Sequence, residues 1–598
     1  MALLRSQRTS APEISERDAL SDIAGMYFRD LSCLQNWTET VLAGSSISAK
    51  LNLPIDMNAS GQYRLYSLSA FLVPLLVITT FSLTSSASVS NVYISQSGTG
   101  SGTNCSDTRS ASWFNNEGNW GSGSTQIGPG TTVHLCGTFT GSAGATELTF
   151  QGSGSSGNII TLRFEPGVLL TAPYWSATGA INTNGATWIT VDGGTNGTIE
   201  NTLNGSSGGS CIAGSCAYQQ SSRLVYISGC AVCNVEVRNL TLIDVYVHSS
   251  ANDDGGKFTD GIYFSGSAHN NITIDYNTIH DSWLCLDGNG SNITVNNNEL
   301  YNCAGGFWWA TTAPSSGLHI HDNYFHDPQK WVTNDDTFHL EAINLFPDTA
   351  PANASGVIIY NNLFSGGASC CNTAHLYLEG AFTSPQIFNN IFDNTGNYHM
   401  PGLWLANEGT FPFTNPLVAN NTFLGGDETF GGNIDFQAYG VTGITFENNV
   451  VTGGNTLVLI APDGSSQSTI TSLNNNAYEN IVTDGGSGAA FYLGSIGYTT
   501  LAAWQAATGN ESKSFFDTIS ILNLNPNGTL QSGSPAIALG LNLTGLGITA
   551  LDSDKPATVG VGGSDDGSLR PPSGPWDSGA YAYGSRPTPP TNLTATVH

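Results

Sequence analysis

Basic charge is almost missing from this sequence. Lysine and arginine together number 16 against 45 aspartates and glutamates, a net charge of −29. A chain so balanced repels polyanions, which excludes nucleic acid and anionic membrane surfaces as partners. Charge of either sign is scarce, at 10% of residues. Long apolar runs are missing too, apart from Leu65 to Leu83.

What is abundant points one way. Glycine occurs 71 times, and asparagine, serine and threonine crowd every segment. That composition suits many short strands joined by tight turns rather than helices, so an all-β chain is expected. The one apolar run follows Arg64, contains Pro74 and ends before Ser85-Ser86-Ala87. Residues 57–87 therefore read as an export signal, cleaved near Ser88, with an uncleaved signal anchor as the alternative. Residues 1–56 precede it and are assigned no fold; a start at Met57 would account for them. Of 11 cysteines only Cys33 lies before the signal. The other ten (Cys105, Cys136, Cys211, Cys216, Cys230, Cys233, Cys285, Cys303, Cys370 and Cys371) are expected to form disulfides in an oxidising compartment. A metal site at Cys230-x-x-Cys233 with Cys211 and Cys216 is the competing reading.

From Asn271 a pattern returns: two alternating apolar residues, two polar ones, an asparagine, any residue, an apolar one. It appears as ITIDYNTI (272–279), ITVNNNEL (293–300), LHIHDNYF (318–325), VIIYNNLF (357–364), QIFNNIF (386–392), LVANNTF (417–423) and ITFENNVV (444–451). The aligned asparagines are Asn277, Asn298, Asn323, Asn362, Asn390, Asn421, Asn449 and Asn476. Their spacing averages about 28, a solenoid period. Each period holds a second alternating strand: IYF (262–264), LCL (284–286), FWW (307–309), FHL (338–340), LYL (376–378), LWL (403–405), IDF (434–436) and LVL (457–459). Short strands per turn with stacked asparagines describe a parallel β-helix, the asparagines tolerating αL at the turn and bonding along the axis.

With these repeats, VYISQSGTGSG (92–102), IGPGTTVHLCGTF (127–139), SGSPAIALG (532–540) and DSGAYAYG (577–584), the chain resembles the right-handed parallel β-helix superfamily of pectate lyases, polygalacturonases and related secreted polysaccharide enzymes. The resemblance implies a cap and first coils over 88–250, regular coils with a binding cleft over 251–480 and closing coils over 481–584; separately, the Pro-rich end over 585–598 looks like a linker entering a truncated fibronectin-like module. The resemblance also implies that the strand before each asparagine strand lines the cleft.

On that alignment the outward row reads Tyr263, Cys285, Trp308, His339, Tyr377, Trp404 and Asp435, with His375 just before Tyr377. One step further lie Asp287, Glu341 and Glu379. Aromatic faces interleaved with acids suit a sugar chain. Glu341 and Glu379 on adjacent coils would stand about 5 Å apart and Asp287 about 10 Å from Glu341, spacings compatible with glycosidase carboxylates. His339 would relay a proton. TDGIYFSGSAHNNITI (259–274) is similar to the Asn-Thr-Asp-Gly region of polygalacturonases, which puts Asp260 on a catalytic position; the paired aspartates, Gly-His-Gly and Arg-x-Lys of that family are absent. A lyase reading takes Asp253, Asp254 and Asp260 as calcium ligands with Lys257 as base, or Lys330 beside Asp335 and Asp336. His319 and His321 have the spacing of a metal pair. The expectation is a secreted, monomeric β-helix that binds and cleaves polysaccharide as a hydrolase or a calcium-dependent lyase, with no cofactor required otherwise. The alternative is a non-catalytic glycan-binding or structural β-helix.

Overall fold

The computed structural model describes residues 88–204, 220–245, 259–265, 269–329, 340–347, 352–367, 372–396, 400–406, 412–425, 433–437, 441–453, 456–460, 469–480, 489–518, 520–554 and 568–584. The expected leader (1–87), the terminal linker (585–598), Cys211, Cys216, Cys370 and Cys371 lie outside them. No helix among the described residues is long and apolar enough to cross a membrane.

The described chain is a parallel β-helix. Its main sheet takes in 39 strands among the described residues, and coil pairs with coil in parallel register. Each regular coil has three strands. The first precedes the turn asparagine (Asn270–Asp275, Ser291–Asn296, Ser315–His321); the second follows it; the third turns a further corner. Second and third strands are sometimes continuous through the bend, as in Thr278–Gly288 and Glu299–Thr311.

The interior is built from columns of like residues. Ile262, Leu286, Phe307, Ile343, Leu376, Leu403, Ile434 and Val458 are register partners along the third strands, and all are buried. The second strands contribute Phe325, Phe364, Phe392 and Phe423, stacked with ring centroids 5.2, 4.8 and 4.5 Å apart. Each such side chain contributes roughly 1.5–3 kcal/mol relative to exposure.

The turn asparagines form one hydrogen-bonded column. Nδ2 of Asn277 donates to Oδ1 of Asn298 at 3.0 Å, and the same link joins 298 to 323, 323 to 362, 362 to 390, 390 to 421, 421 to 449 and 449 to 476. The left-handed residue of the turn is not this asparagine but its predecessor: Tyr276, Asn297, Asp322, Asn361, Asn389, Asn420, Asn448 and Asn475 all have positive φ. Division of labour explains it, since the ladder amide must face inward while the corner needs αL. The column ends on Glu511, which accepts from Asn476 Nδ2 at 3.2 Å and Tyr478 Oη at 2.6 Å. Helix Leu501–Thr508 closes this end, with Trp504 stacked on Phe491 at 5.3 Å.

Residues 532–540 and 577–584, expected as closing coil and last strand, run instead back along the outside of earlier coils, Ala536 against Val450 and Ala477 and Ala580 against Ile391 and Leu424 of the second strands. Leu543, Leu551 and Trp576 pack on Phe388 and Ala419. The corner asparagines hold this segment: Asn389 donates to the carbonyl of Ser553, Asn420 to Asp577, Asn448 to Leu541 and Asn475 to Leu539.

Candidate functional site

The outer face of the third-strand sheet carries a row of register partners: Tyr226, Tyr263, Asp287, Trp308, Asn344, Tyr377, Trp404 and Asp435. The expected aromatics share it. The expected Cys285 does not: it is buried and joined to Cys303, and Asp287 takes its place. INL (343–345), not FHL, is the strand segment equivalent to FWW and LYL, so Asn344 occupies the position expected for His339. His339 itself lies outside the described residues.

The slip has a physical cause. At the corner before each third strand two consecutive residues enter the core, Cys285 with Leu286 and Ala342 with Ile343, so counting by twos fails there. Three positions before the row lies a parallel set of register partners: Arg223, Asp260, Leu284, Gly305, Glu341 and Ala374.

Asp260 and Arg223 form the charged end of this face. Arg223 donates Nε to Asp260 Oδ2 at 2.8 Å and NH1 to the carbonyl of Ala177 at 2.7 Å, and its guanidinium carbon sits 3.4 Å from the centre of the Tyr263 ring. Asp260 is wholly buried. Burial raises its carboxyl pKa, against the pull of Arg223. Burial also raises that of half-buried Asp287, and the charge of Asp260 raises it further, while a hydrogen bond from Ser265 and the charge of Arg223 oppose. The two carboxyls titrate as a pair. The guanidinium favours the ionised form of Asp260, while burial and the charge of Asp260 favour the protonated form of Asp287, between Tyr263 and Trp308.

Glu341 is wholly buried beside Trp308. Burial pushes its carboxyl up to about 8, with Glu379 adding and hydrogen bonds from Thr373 and Trp308 opposing. Gly305, its register partner, makes room for the indole: a Cβ there would lie 2.4 Å from Trp308 Nε1. Trp308 meets Trp283 edge-on at 5.6 Å over Leu284, Ala304 and Leu340. A second platform sets Tyr377 edge-on to Trp404 at 5.9 Å over Ala374 and Ala406. The expected stacking of Glu341 on Glu379 does not occur. Glu341 pairs with Ala374, and Glu379 stands five positions further along that strand, past the corner, so the two are not register partners although the charge of Glu379 still reaches Glu341. Asp287 is likewise offset, since its row partner two coils on is Asn344.

His375, expected outward, is in the core. Its Nε2 is 2.8 Å from Asn394 Oδ1, the ring lies near Phe364 and Phe392, and burial pushes its pKa down to about 4. Asp435 is buried in line with Trp404. Lys257, Lys330, Asp253, Asp254, Asp335 and Asp336 lie outside the described residues. Asp260 fits calcium poorly, because its charge already faces the Arg223 guanidinium. His319 is exposed, while His321 bonds Asp322 at 2.7 Å and stacks on Tyr360; among the described residues neither belongs to a metal-ligating group. Arg223 and Trp283 escaped the sequence reading. SRLVY (222–226) offered the signal: it repeats the pattern of TDGIYF one coil earlier, with arginine aligned to Asp260.

No protein-family model and no curated protein sequence matches the chain. Among solved structures, the chain is similar to pectate lyase Pel9A, with 14% identity, TM-score 0.38, and coverage of 84% of this chain and 98% of that one. It is similar to XylC in complex with xylose at 10% identity and TM-score 0.39, over 67% and 86% of the two chains. A mutant of the PL6 family alginate lyase AlyGC gives 15% identity and TM-score 0.32, over 68% and 52%.

Proposed function

We propose that the chain binds a polysaccharide along the outer face of its third-strand sheet and cleaves it, with Asp287 as the proton donor to the glycosidic oxygen. One observation carries this reading: the Asp287 carboxyl stands in a single row between the rings of Tyr263 and Trp308, where burial first and the charge of Asp260 second favour its protonated form against the pull of Arg223. Sugar rings stack on such aromatic faces, and a carboxylic acid fixed between them meets the bond joining two rings. Protonating the leaving oxygen serves hydrolysis and β-elimination alike. Asp260 is a positioning residue whose charge adds to burial in favouring the protonated form of Asp287, and Arg223 holds Asp260 in place. Trp308 and Trp404 extend the platform, with buried Tyr377 packed edge-on against Trp404 beneath it. Export fits the disulfides found among the described residues, Cys105–Cys136, Cys230–Cys233 and Cys285–Cys303.

The test is to offer the full chain neutral and uronate polysaccharides with and without Ca²⁺, following new reducing ends and unsaturated products. Asp287→Asn is expected to lower cleavage by at least about 10²-fold, as befits a lost general acid, with binding retained. Trp308→Ala should weaken binding itself. The complete burial of Glu341 and Asp435 favours a second reading, glycan binding without cleavage. Binding that depends on Trp308 with no product in either channel would establish that reading and overturn the first.

A further inference from the structure

Among the described residues one group of metal-ligating side chains stands apart from the sugar-facing row: Cys230, Cys233 and His269. All three are buried, and their ligand atoms lie within 4.8 Å of one another. Two coils build the cluster. The turn Cys230–Cys233 enters the first strand of one coil, and His269 immediately precedes that of the next. The turn is tied to the second coil by Cys233 N–H to the carbonyl of Asn270 at 2.8 Å and by Asn270 Nδ2 to the carbonyl of Ala231 at 2.9 Å. The imidazole is thereby held against both sulfurs.

In this structure the sulfurs are joined as a disulfide. Reduction would free two thiols beside an imidazole, all within 4.8 Å, so that small side-chain rotations bring the sulfurs to the roughly 3.8 Å they take on a tetrahedral zinc. Cys-x-x-Cys is a common zinc spacing, and thiolate with imidazole selects zinc or a softer ion over calcium or magnesium.

We propose that Cys230, Cys233 and His269 form a redox-gated site for a thiophilic metal ion such as Zn²⁺, closed to metal as the disulfide and opened by reduction. The chemistry balances. A phosphine reductant and water convert the disulfide to two thiols and become phosphine oxide, and metal binding then releases the two thiol protons. Three protein ligands leave the fourth position to water.

To test it, the full chain is reduced with a phosphine, freed of reductant under argon and titrated with Co²⁺ as a spectroscopic stand-in for zinc. The expected result is one ion per chain at this site, with tetrahedral d–d bands and thiolate charge transfer, bleached by Zn²⁺. Cys233→Ser should abolish the charge transfer, His269→Gln should weaken binding at least tenfold and shift the d–d bands, and Cys285→Ser should change neither. A reduced chain that takes up no Co²⁺, or spectra unaltered by both Cys233→Ser and His269→Gln, would overturn the proposal. Because a variant can misfold, thiol alkylation of the reduced wild type gives an independent reading. Zn²⁺ should slow labelling of Cys230 and Cys233 but not of Cys285 and Cys303, and equal labelling of both pairs would also overturn it.

Discussion

Replacing Asn390 with alanine tests what the asparagine column is worth. Its Nδ2 donates to the carbonyls of Ile359 and Phe388 and to Asn421 Oδ1, at 3.0, 3.1 and 3.0 Å; its Oδ1 accepts from the backbone and side-chain nitrogens of Asn362, both at 3.0 Å. Asn362 Nδ2 keeps a bond to the carbonyl of Ile320 and Asn421 Oδ1 keeps the backbone N–H of Asn390. The backbone N–H of Asn362 loses its acceptor inside the core. An orphaned buried donor costs about 1–3 kcal/mol and each lost bond about 1. Water entering the vacated space would return part, so we expect a loss of about 3–5 kcal/mol. Urea unfolding of the full chain measures it, following the stage that carries coils 362–421 if the array melts in stages. Asn390→Asp sharpens the test. A carboxyl there would be protonated in the fold, its pKa raised above the unfolded value, so the variant should be most stable in acid and weaken as pH rises. A loss below about 1 kcal/mol for Asn390→Ala, with hydrogen exchange at Asn362 unchanged, would refute the reasoning.

Glu341 carries a carboxyl raised from 4.5 to about 8, so its contribution is complete below about 4.5 and lost as pH climbs towards 8; Glu341→Gln should remove that slope, seen in denaturation midpoints across this window. His375 behaves in the opposite sense. Its pKa is lowered from 6.5 to about 4, so its stability is present above 6.5 and drains away as pH falls through 4, and His375→Leu should flatten acid unfolding followed by circular dichroism. Arg223→Ala leaves Asp260 buried without its partner and should cost about 3–5 kcal/mol near neutral pH, with the deficit shrinking in acid as Asp260 takes up a proton.

How far the sequence reaches can be argued from particular strands. The aromatic row was legible because Tyr263, Trp308, Tyr377 and Trp404 each sit between two core residues, and that local alternation survives in the fold. Alternation could not choose between FHL and INL, which fit the pattern equally, nor foresee the double inward step at each corner; Asp287 was therefore set outside its row and Glu341 stacked on the wrong partner. His375 looked exposed for the same reason. The pairing of Arg223 with Asp260 spans 37 residues and rests on coil register, which no short window contains. The return of residues 532–554 and 568–584 was hidden because its apolar residues pack on the outside of coils already closed.

Every side-chain link in the asparagine column points the same way, from the amide nitrogen of one coil to the amide oxygen of the next, and the last nitrogen meets the carboxylate of Glu511. The stack is therefore polar, with a donor always presented at its C-terminal end and an acceptor at its other. Whole coils can be gained or lost between the ends without changing either surface, which fits links that bridge anything from 21 to 39 residues. The two ends are not interchangeable: a terminator for this column must accept, and a segment grafted onto its far end must donate.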